Sequence, residues 1–219
     1  GDELQRMIGD LDRKSRKVGL KINMQKTKVM FNSLGKEQQF TLGSEALEVV
    51  SECVYLGPIV TADPDHENTI TRRIRLGWSA FGKHSPIMTS SLPVSRKRKV
   101  YNSCIFPVLT YAAETWRLTK RVLLTLRTTQ RAVERKIVRV TLRDRKRAEW
   151  VREITQVTDI LVEIKKNKLA WTGHVVRRED NRWSLRVTNW IPREGKRSRG
   201  WQKGKWADEV MKFARVKWM

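Results

Sequence analysis

Long hydrophobic runs, cysteines and histidines are all scarce in this 219-residue sequence. No stretch approaches the about 18 apolar residues that a membrane-spanning helix needs, so we predict no membrane partner. Two cysteines, Cys53 and Cys104, lie in unrelated local contexts, which argues against a disulfide framework and favours a reducing compartment. The three histidines are scattered, and the sequence contains neither a C-x-x-C nor an H-x-x-x-H pair, so no metal site is predicted. With no secretory signal, we expect a protein that is not secreted.

Acidic residues are also few relative to basic ones. Lys and Arg number 46 against 23 Asp and Glu, which gives a formal net charge of +23. Such an excess attracts polyanions, because neutralising phosphates releases condensed counterions. Nucleic acid is the favoured partner. A basic structural protein and a protein that sits on acidic membrane surfaces are the alternatives on charge alone.

The positive charge is concentrated in the second part of the chain. Residues 1–62 hold 9 basic and 8 acidic side chains, a net of +1. Residues 63–219 hold the other 37 basic and 15 acidic side chains, a net of +22, and all nine tryptophans. We therefore predict a boundary near residue 62.

Periodicity predicts a helix over 2–18 that ends at Gly19, followed by short strands. Leu42 to Glu45 is typical of a hairpin turn, and a further strand over 53–56 is closed by Gly57 and Pro58. Beyond Ala62 the pattern is helical, with segments at 65–82, 96–110, 120–140, 150–169 and 205–216. The predicted class is α+β: a small, mostly antiparallel sheet with one helix, then a mainly α-helical remainder.

Five segments carry more specific information than composition does. They are Gly19-Leu-Lys-Ile-Asn23-Met-Gln-Lys26-Thr27, Tyr55-Leu56-Gly57, Tyr111-Ala-Ala-Glu114-Thr115-Trp116, Trp171-Thr-Gly173-His174-Val-Val-Arg177-Arg178 and the Trp201–Trp206 region. In this order and spacing, the sequence resembles the endonuclease/reverse transcriptases of non-LTR retrotransposons, most closely the RTE-like clade.

The resemblance implies three regions. Residues 1–62 would be the C-terminal portion of the reverse transcriptase palm, 63–140 the helical thumb, and 141–219 a basic, Trp-rich C-terminal region. Its implied partners are an RNA template and a DNA primer or target, in a nuclear or cytoplasmic ribonucleoprotein. The upstream palm, fingers and endonuclease domains would belong to a longer polyprotein, because the chain starts with Gly1 rather than Met.

The resemblance also implies a limit on catalysis. The family's Y-x-D-D segment, whose aspartates hold Mg²⁺, would lie just upstream of the first helix and is missing here. We expect no cofactor in this chain and no polymerisation by this chain alone. The alternatives left open are a co-opted, non-enzymatic RNA/DNA-binding protein and a pseudogene product.

Two family elements match this chain residue by residue. Gly19, Asn23, Lys26 and Thr27 match the motif whose lysine approaches the nucleotide phosphates, which makes Lys26 the candidate for charge stabilisation or pyrophosphate protonation. A solvated strand-end lysine is the alternative. Tyr55, Leu56 and Gly57 match the primer grip, a turn that supports the primer strand. Tyr55 and Leu56 are equally compatible with the core of a strand.

Clusters of cations supply the remaining candidate nucleic-acid contacts, with a merely solvated face as the alternative for each. The candidates are Arg72, Arg73, Arg96, Lys97, Arg98, Arg143, Arg145, Lys146, Arg147, Arg177, Arg178, Arg197 and Arg199. Tryptophans are interleaved with the C-terminal cations, and an exposed indole stacks on unpaired bases. We expect most of these tryptophans to lie in the core and at most one or two to stack on bases.

Overall fold

The computed structural model describes residues 1–32, 35, 37–61, 66–177, 183–189 and 206–214. The chain divides into two compact units, Gly1–Asn68 and Thr69–Met219. The predicted α+β class is confirmed, with short strands in the first unit and helices in the second. Three candidate residues, Arg178, Arg197 and Arg199, lie outside the described residues.

The first unit opens with helix α1, Asp2–Lys17. Its first turn is acidic and its last turn basic, which matches the charges of the helix dipole. The helix ends as predicted at Gly19, whose φ of +77° is readily adopted only by glycine. The Gly19 amide donates to the Arg16 carbonyl and the Leu20 amide to the Ser15 carbonyl, the paired bonds of a Schellman cap.

In the described part of the first unit, six short strands form three two-stranded sheets. The pairs are β2 Thr41–Leu42 with β3 Glu45–Ala46 and β5 Glu52–Val54 with β6 Ile59–Thr61, both antiparallel, and β1 Lys28–Val29 with β4 Glu48–Val49, parallel. The predicted hairpin at 42–45 is confirmed by the Leu42–Glu45 register. A small core of Val29, Phe40 and Leu47, with Ile8 of α1 and Leu42 of β2 packed against it, does not include the β5–β6 hairpin.

Helices make up the rest of the described chain. They are α2 His66–Lys83, α3 Ser85–Met88, α4 Val94–Val100, α5 Phe106–Thr110, α6 Lys120–Val138, α7 Ala148–Thr155, α8 Ile160–Val176, α9 Trp183–Asn189 and α10 Trp206–Ala214, with 3₁₀ turns at Ala113–Thr115 and Leu142–Asp144. The apolar faces of α2 to α6 and α8 form one core around Tyr101, Leu109, Leu126 and Ile164. Helix α8 runs further than the predicted end at 169.

A widened helical turn lets the chain pass Pro107 without a break. Residues Tyr101–Ile105 form a π-helix between α4 and α5, and the Phe106 amide donates to the Tyr101 carbonyl. Proline lacks an amide hydrogen and clashes with the carbonyl four residues earlier in an α-helix. The π-turn therefore accommodates Pro107 and keeps Tyr101, Ile105 and Leu109 in the core.

The last described helix, α10, is attached by polar contacts to residues far away in the sequence. The Lys168 ammonium, which is fully buried on α8, pairs with the Glu209 carboxylate. Glu209 also accepts from the Leu118 amide at 2.7 Å, and the Trp206 indole donates to the Glu114 carbonyl at 2.6 Å. These contacts fix α10 against α8 and the 113–118 segment.

Glu134 is a buried carboxylate on the inner face of α6, with 1% of its surface exposed. Its Oε1 lies 3.8 Å from Arg152 Nε, and no hydrogen bond reaches the carboxylate from the described residues. Burial raises the pKa of Glu134, with the nearby Asp159 adding to the rise and Arg152 opposing it. The folded state therefore holds this proton to a higher pH than the unfolded chain does.

Replacing Glu134 by glutamine is expected to raise the free energy of unfolding at pH 7 by about 1 kcal/mol, because it removes a buried charge without a hydrogen bond. In the wild type, stability falls as pH rises from the ordinary carboxyl pKa through the raised pKa. Urea denaturation between pH 4 and pH 8 should show this slope in wild type and its loss in Glu134→Gln. The exposed Glu149→Gln is the control, and an equal effect there would contradict the assignment.

Candidate nucleic-acid interface

Lys26 lies at the tip of a tight turn between α1 and β1. The Asn23 side chain accepts from the Lys26 amide at 3.0 Å, and the Thr27 hydroxyl donates to the Asn23 carbonyl at 2.8 Å. The asparagine and the threonine therefore fix the turn, a usual role for such side chains. The Lys26 side chain is exposed, so the turn presents its ammonium to solvent.

Tyr55, Leu56 and Gly57 form the loop of the β5–β6 hairpin. The Tyr55 amide donates to the Pro58 carbonyl at 3.0 Å, and Leu56 and Gly57 have φ of 51° and 110°. The second value lies where glycine is favoured. Tyr55 and Leu56 are both exposed rather than part of a core, so the turn offers an aromatic and an aliphatic side chain to a ligand.

Arg73 on α2 is largely buried, in contrast to the expected phosphate-facing position. Its guanidinium lies 4.3 Å from the centroid of the Tyr111 ring, a cation–π contact. Burial lowers the pKa of Arg73, and Arg72 lowers it further. Arg73 therefore joins α2 to the 111–116 segment, while Arg72 is partly exposed.

The cations of α4 do not share one environment. Arg96 is exposed, and Arg98 donates to the Gln156 side chain at 2.6 Å. Lys97 is 2% exposed, and its Nζ donates to the Ile137 carbonyl at 3.1 Å. Burial lowers the pKa of Lys97, and Arg139 lowers it further. Sequence reasoning placed Lys97 on the surface, where it does not lie, because its partner is 40 residues away.

The loop between α6 and α7 keeps its predicted character as a dense basic segment. Asp144, its one acid, accepts from the Thr141 amide and hydroxyl at 2.6 and 2.9 Å, which holds the pKa of that carboxyl below its usual value. It therefore closes a capping box rather than neutralising an arginine. The loop's exposed cations are Arg143, Arg145, Lys146 and Arg147.

Sequence reasoning missed the outer face of α6. Five exposed cations lie along it at intervals of three to seven residues, and the acid Glu134 faces inward. The exposed cations are Lys120, Arg127, Arg131, Lys136 and, just past the helix, Arg139. None of them forms an ion pair with the residues that the structure describes. The signal was present as seven Lys and Arg between positions 120 and 139.

Three tryptophans of the C-terminal region lie in the described part of the chain. Trp171 and Trp183 are exposed, which agrees with the expectation that one or two lie outside the core, and Trp206 is partly buried through its bond to Glu114. Trp190 and Trp201 lie outside the described residues. Arg177, at the end of α8, is exposed and turns its guanidinium toward Gly173.

The described residues do not fit a two-metal polymerase centre. Such a centre needs carboxylates that converge on the metals, and no group of three or more His, Cys, Asp or Glu converges within the described ranges. Asp10 and Asp12 are instead engaged on α1 with Arg13 and Arg16. In the same part of the chain, no helix is long and apolar enough to cross a membrane.

Comparison with known proteins places the chain among mobile-element proteins. It is 34% identical over 215 residues to a transposon-derived protein of Caenorhabditis elegans, a match that covers 94% of this chain and 77% of that protein. The chain belongs to this family of transposon-derived proteins. No family model and no solved structure matches the transposon-derived chain.

Proposed function

We propose that this transposon-derived chain is the C-terminal part of a non-LTR retrotransposon reverse transcriptase of the RTE-like clade, and that it binds the RNA template and the DNA primer or target. The transposon-derived relative supports a mobile-element origin. The paired motifs at 19–27 and 55–57, each in an exposed turn, support the polymerase assignment.

The observation that best supports nucleic-acid binding is the run of exposed cations from residue 120 to residue 147. Nine of them form no ion pair with described residues: Lys120, Arg127, Arg131, Lys136, Arg139, Arg143, Arg145, Lys146 and Arg147. The two acids of this stretch, Glu134 and Asp144, are held in the interior and in a cap. A polyanion would therefore meet positive charge with little internal compensation.

In the proposed full-length enzyme, this chain contributes binding and orientation rather than metal ligands. Lys26 would face the phosphates of the incoming nucleotide, and the 55–58 hairpin would support the primer end. Mg²⁺, held by palm aspartates that this sequence lacks, would supply the electrostatic stabilisation of phosphoryl transfer. A nuclear or cytoplasmic ribonucleoprotein with the upstream palm, fingers and endonuclease domains is the proposed setting.

Binding to a duplex and to single-stranded RNA and DNA tests the proposal. Fluorescence anisotropy between 50 and 300 mM salt should give a steep decrease in affinity, with each phosphate contact adding about 0.9 to the logarithmic slope on duplex DNA. Arg127→Gln/Arg131→Gln should reduce that slope by about 1–2. Primer extension with Mg²⁺ should stay at background for this chain.

The matched control is Lys14→Gln/Lys17→Gln, which removes the same charge from exposed positions on α1. It should leave the slope near the wild-type value. No measurable binding at 50 mM salt would overturn the proposal. An equal loss in both double variants would overturn the assignment of the interface to the α6 face.

A further inference from the structure

A pocket of about 350 Å³ lies in the second unit. Its walls come from the 90–92 loop, the start of α4, the end of α6 and the first two turns of α7. Its volume falls within the range of pockets that hold small ligands. The pocket adjoins the basic α6–α7 loop, since Arg139 and Trp150 are among its lining residues.

One wall of the pocket is aromatic and partly solvent-accessible. Trp150 is 39% exposed although it is one of the largest apolar side chains of α7. Two neighbours in the lining, Leu92 and Ile154, are also exposed. Lys146 Nζ lies 5.3 Å from the centroid of the Trp150 ring. The pocket therefore offers a partly exposed indole to a flat ring, with the Lys146 ammonium over one face of the indole.

The polar groups of the pocket favour an anion. Its charged lining residues are Lys97 and Arg139, and no carboxylate is among them. Lys97 uses one of its three donors on the Ile137 carbonyl. Ser91 adds a hydroxyl to the lining, whereas the Ser90 hydroxyl donates to the Ile87 carbonyl at 2.7 Å. A ligand that combines a flat ring with a phosphate matches both the Trp150 indole and the cations Lys97 and Arg139.

We propose that this pocket binds one unpaired nucleotide of a nucleic-acid strand, with its base against Trp150 and its phosphate held by Arg139 and Lys146. The inference rests on the proposed nucleic-acid binding and adds a preference for a single-stranded segment. A base within a duplex has both faces covered by its neighbours in the stack, so only an unpaired base can lie against the indole.

Equilibrium binding of tryptophan variants tests the pocket. Trp150→Ala should weaken binding to a single-stranded oligonucleotide, as RNA and as DNA of one sequence, by about 10-fold, the usual effect of losing one stacked base. Affinity for a duplex should change less than about 2-fold. Trp150→Phe should retain most of the single-strand affinity, because a phenyl ring still stacks.

The control is Leu169→Ala on α8, which removes a large apolar side chain of the same exposure as Trp150, 39%, that does not line the pocket. It should leave single-strand affinity near wild type. If wild type binds while Trp150→Ala binds single strands equally well, the inference fails and the proposed function stands. If wild type binds no nucleic acid, the proposed function fails as well.

Photo-crosslinking of wild type gives a test that does not depend on the folding of a variant. A single-stranded RNA carrying 5-iodouridine should crosslink to the peptide that contains Trp150, as located by mass spectrometry. Crosslinks confined to other peptides would overturn the placement of the base. A thermal melt of each variant confirms that the fold is retained.

Discussion

Replacement of Lys168 by methionine is expected to lower the free energy of unfolding by about 3–5 kcal/mol, the usual effect of breaking a buried ion pair from one side. Lys168 is fully buried on α8, and its ammonium pairs with Glu209 on α10. Methionine fills a similar volume but leaves the Glu209 carboxylate with only the Leu118 amide. Urea denaturation measures the loss, and hydrogen exchange should show that α10 opens first.

The neighbouring Lys166 provides the control for this variant. It lies on the same helix, is mostly exposed, and is 4.0 Å from Glu163. Lys166→Met should change stability by less than about 1 kcal/mol, as for other surface pairs. The double variant Lys168→Met/Glu209→Gln should recover part of the loss because it removes both charges. Equal stabilities of the two single methionine variants would show that the buried pair does not hold α10.

Replacing each of two glycines on α2 by alanine should change the stability of the protein in opposite directions. A Cβ at Gly77 would overlap the Leu109 side chain, which is 1% exposed in the core, so Leu109 would have to shift among packed neighbours. Gly77→Ala should therefore lower stability by about 1–3 kcal/mol. A Cβ at Gly82 meets nothing within 4 Å. Gly82→Ala should raise stability by up to about 1 kcal/mol through helix propensity.

The separation between these two variants is the quantity to measure, because both remove a glycine from the same helix. Thermal or urea unfolding should place them about 1–4 kcal/mol apart, with wild type between them. If Gly77→Ala proved as stable as Gly82→Ala, the close approach of α2 to Leu109 would not be a feature of the folded protein.

Local signals were enough to predict most helices and the hairpin. The Gly19 stop, the Leu42–Glu45 turn and the 3.6-residue periodicity of α2 and α6 all act within a few residues. The parallel pairing of β1 with β4 was not predicted, because it joins residues 20 positions apart. Lys28 and Glu48 form an ion pair across it, but in a chain with 46 basic and 23 acidic residues the opposite charges alone do not identify this pair.

The candidate site shows the same division between local and distant effects. Sequence placed the Lys26 turn and the Arg143–Arg147 loop correctly as exposed segments, since turn chemistry and charge density are local. It could not show that Lys97 is buried while Arg96 is exposed, or that Lys168 is buried. The partners of the two buried lysines, Ile137 and Glu209, lie about 40 residues away from them. Only the fold decides which lysines of a basic chain are buried.

The widened turn at Tyr101–Ile105 also fixes the phase between α4 and α5. Each residue of an α-helix advances the chain by about 100°, so one residue fewer here would rotate everything downstream by that angle. Phe106 and Leu109 would then leave the core that they share with Tyr101. The length of this segment is therefore constrained as strictly as its composition. An insertion or deletion that a surface loop tolerates would here turn the apolar face of α5 away from that of α4.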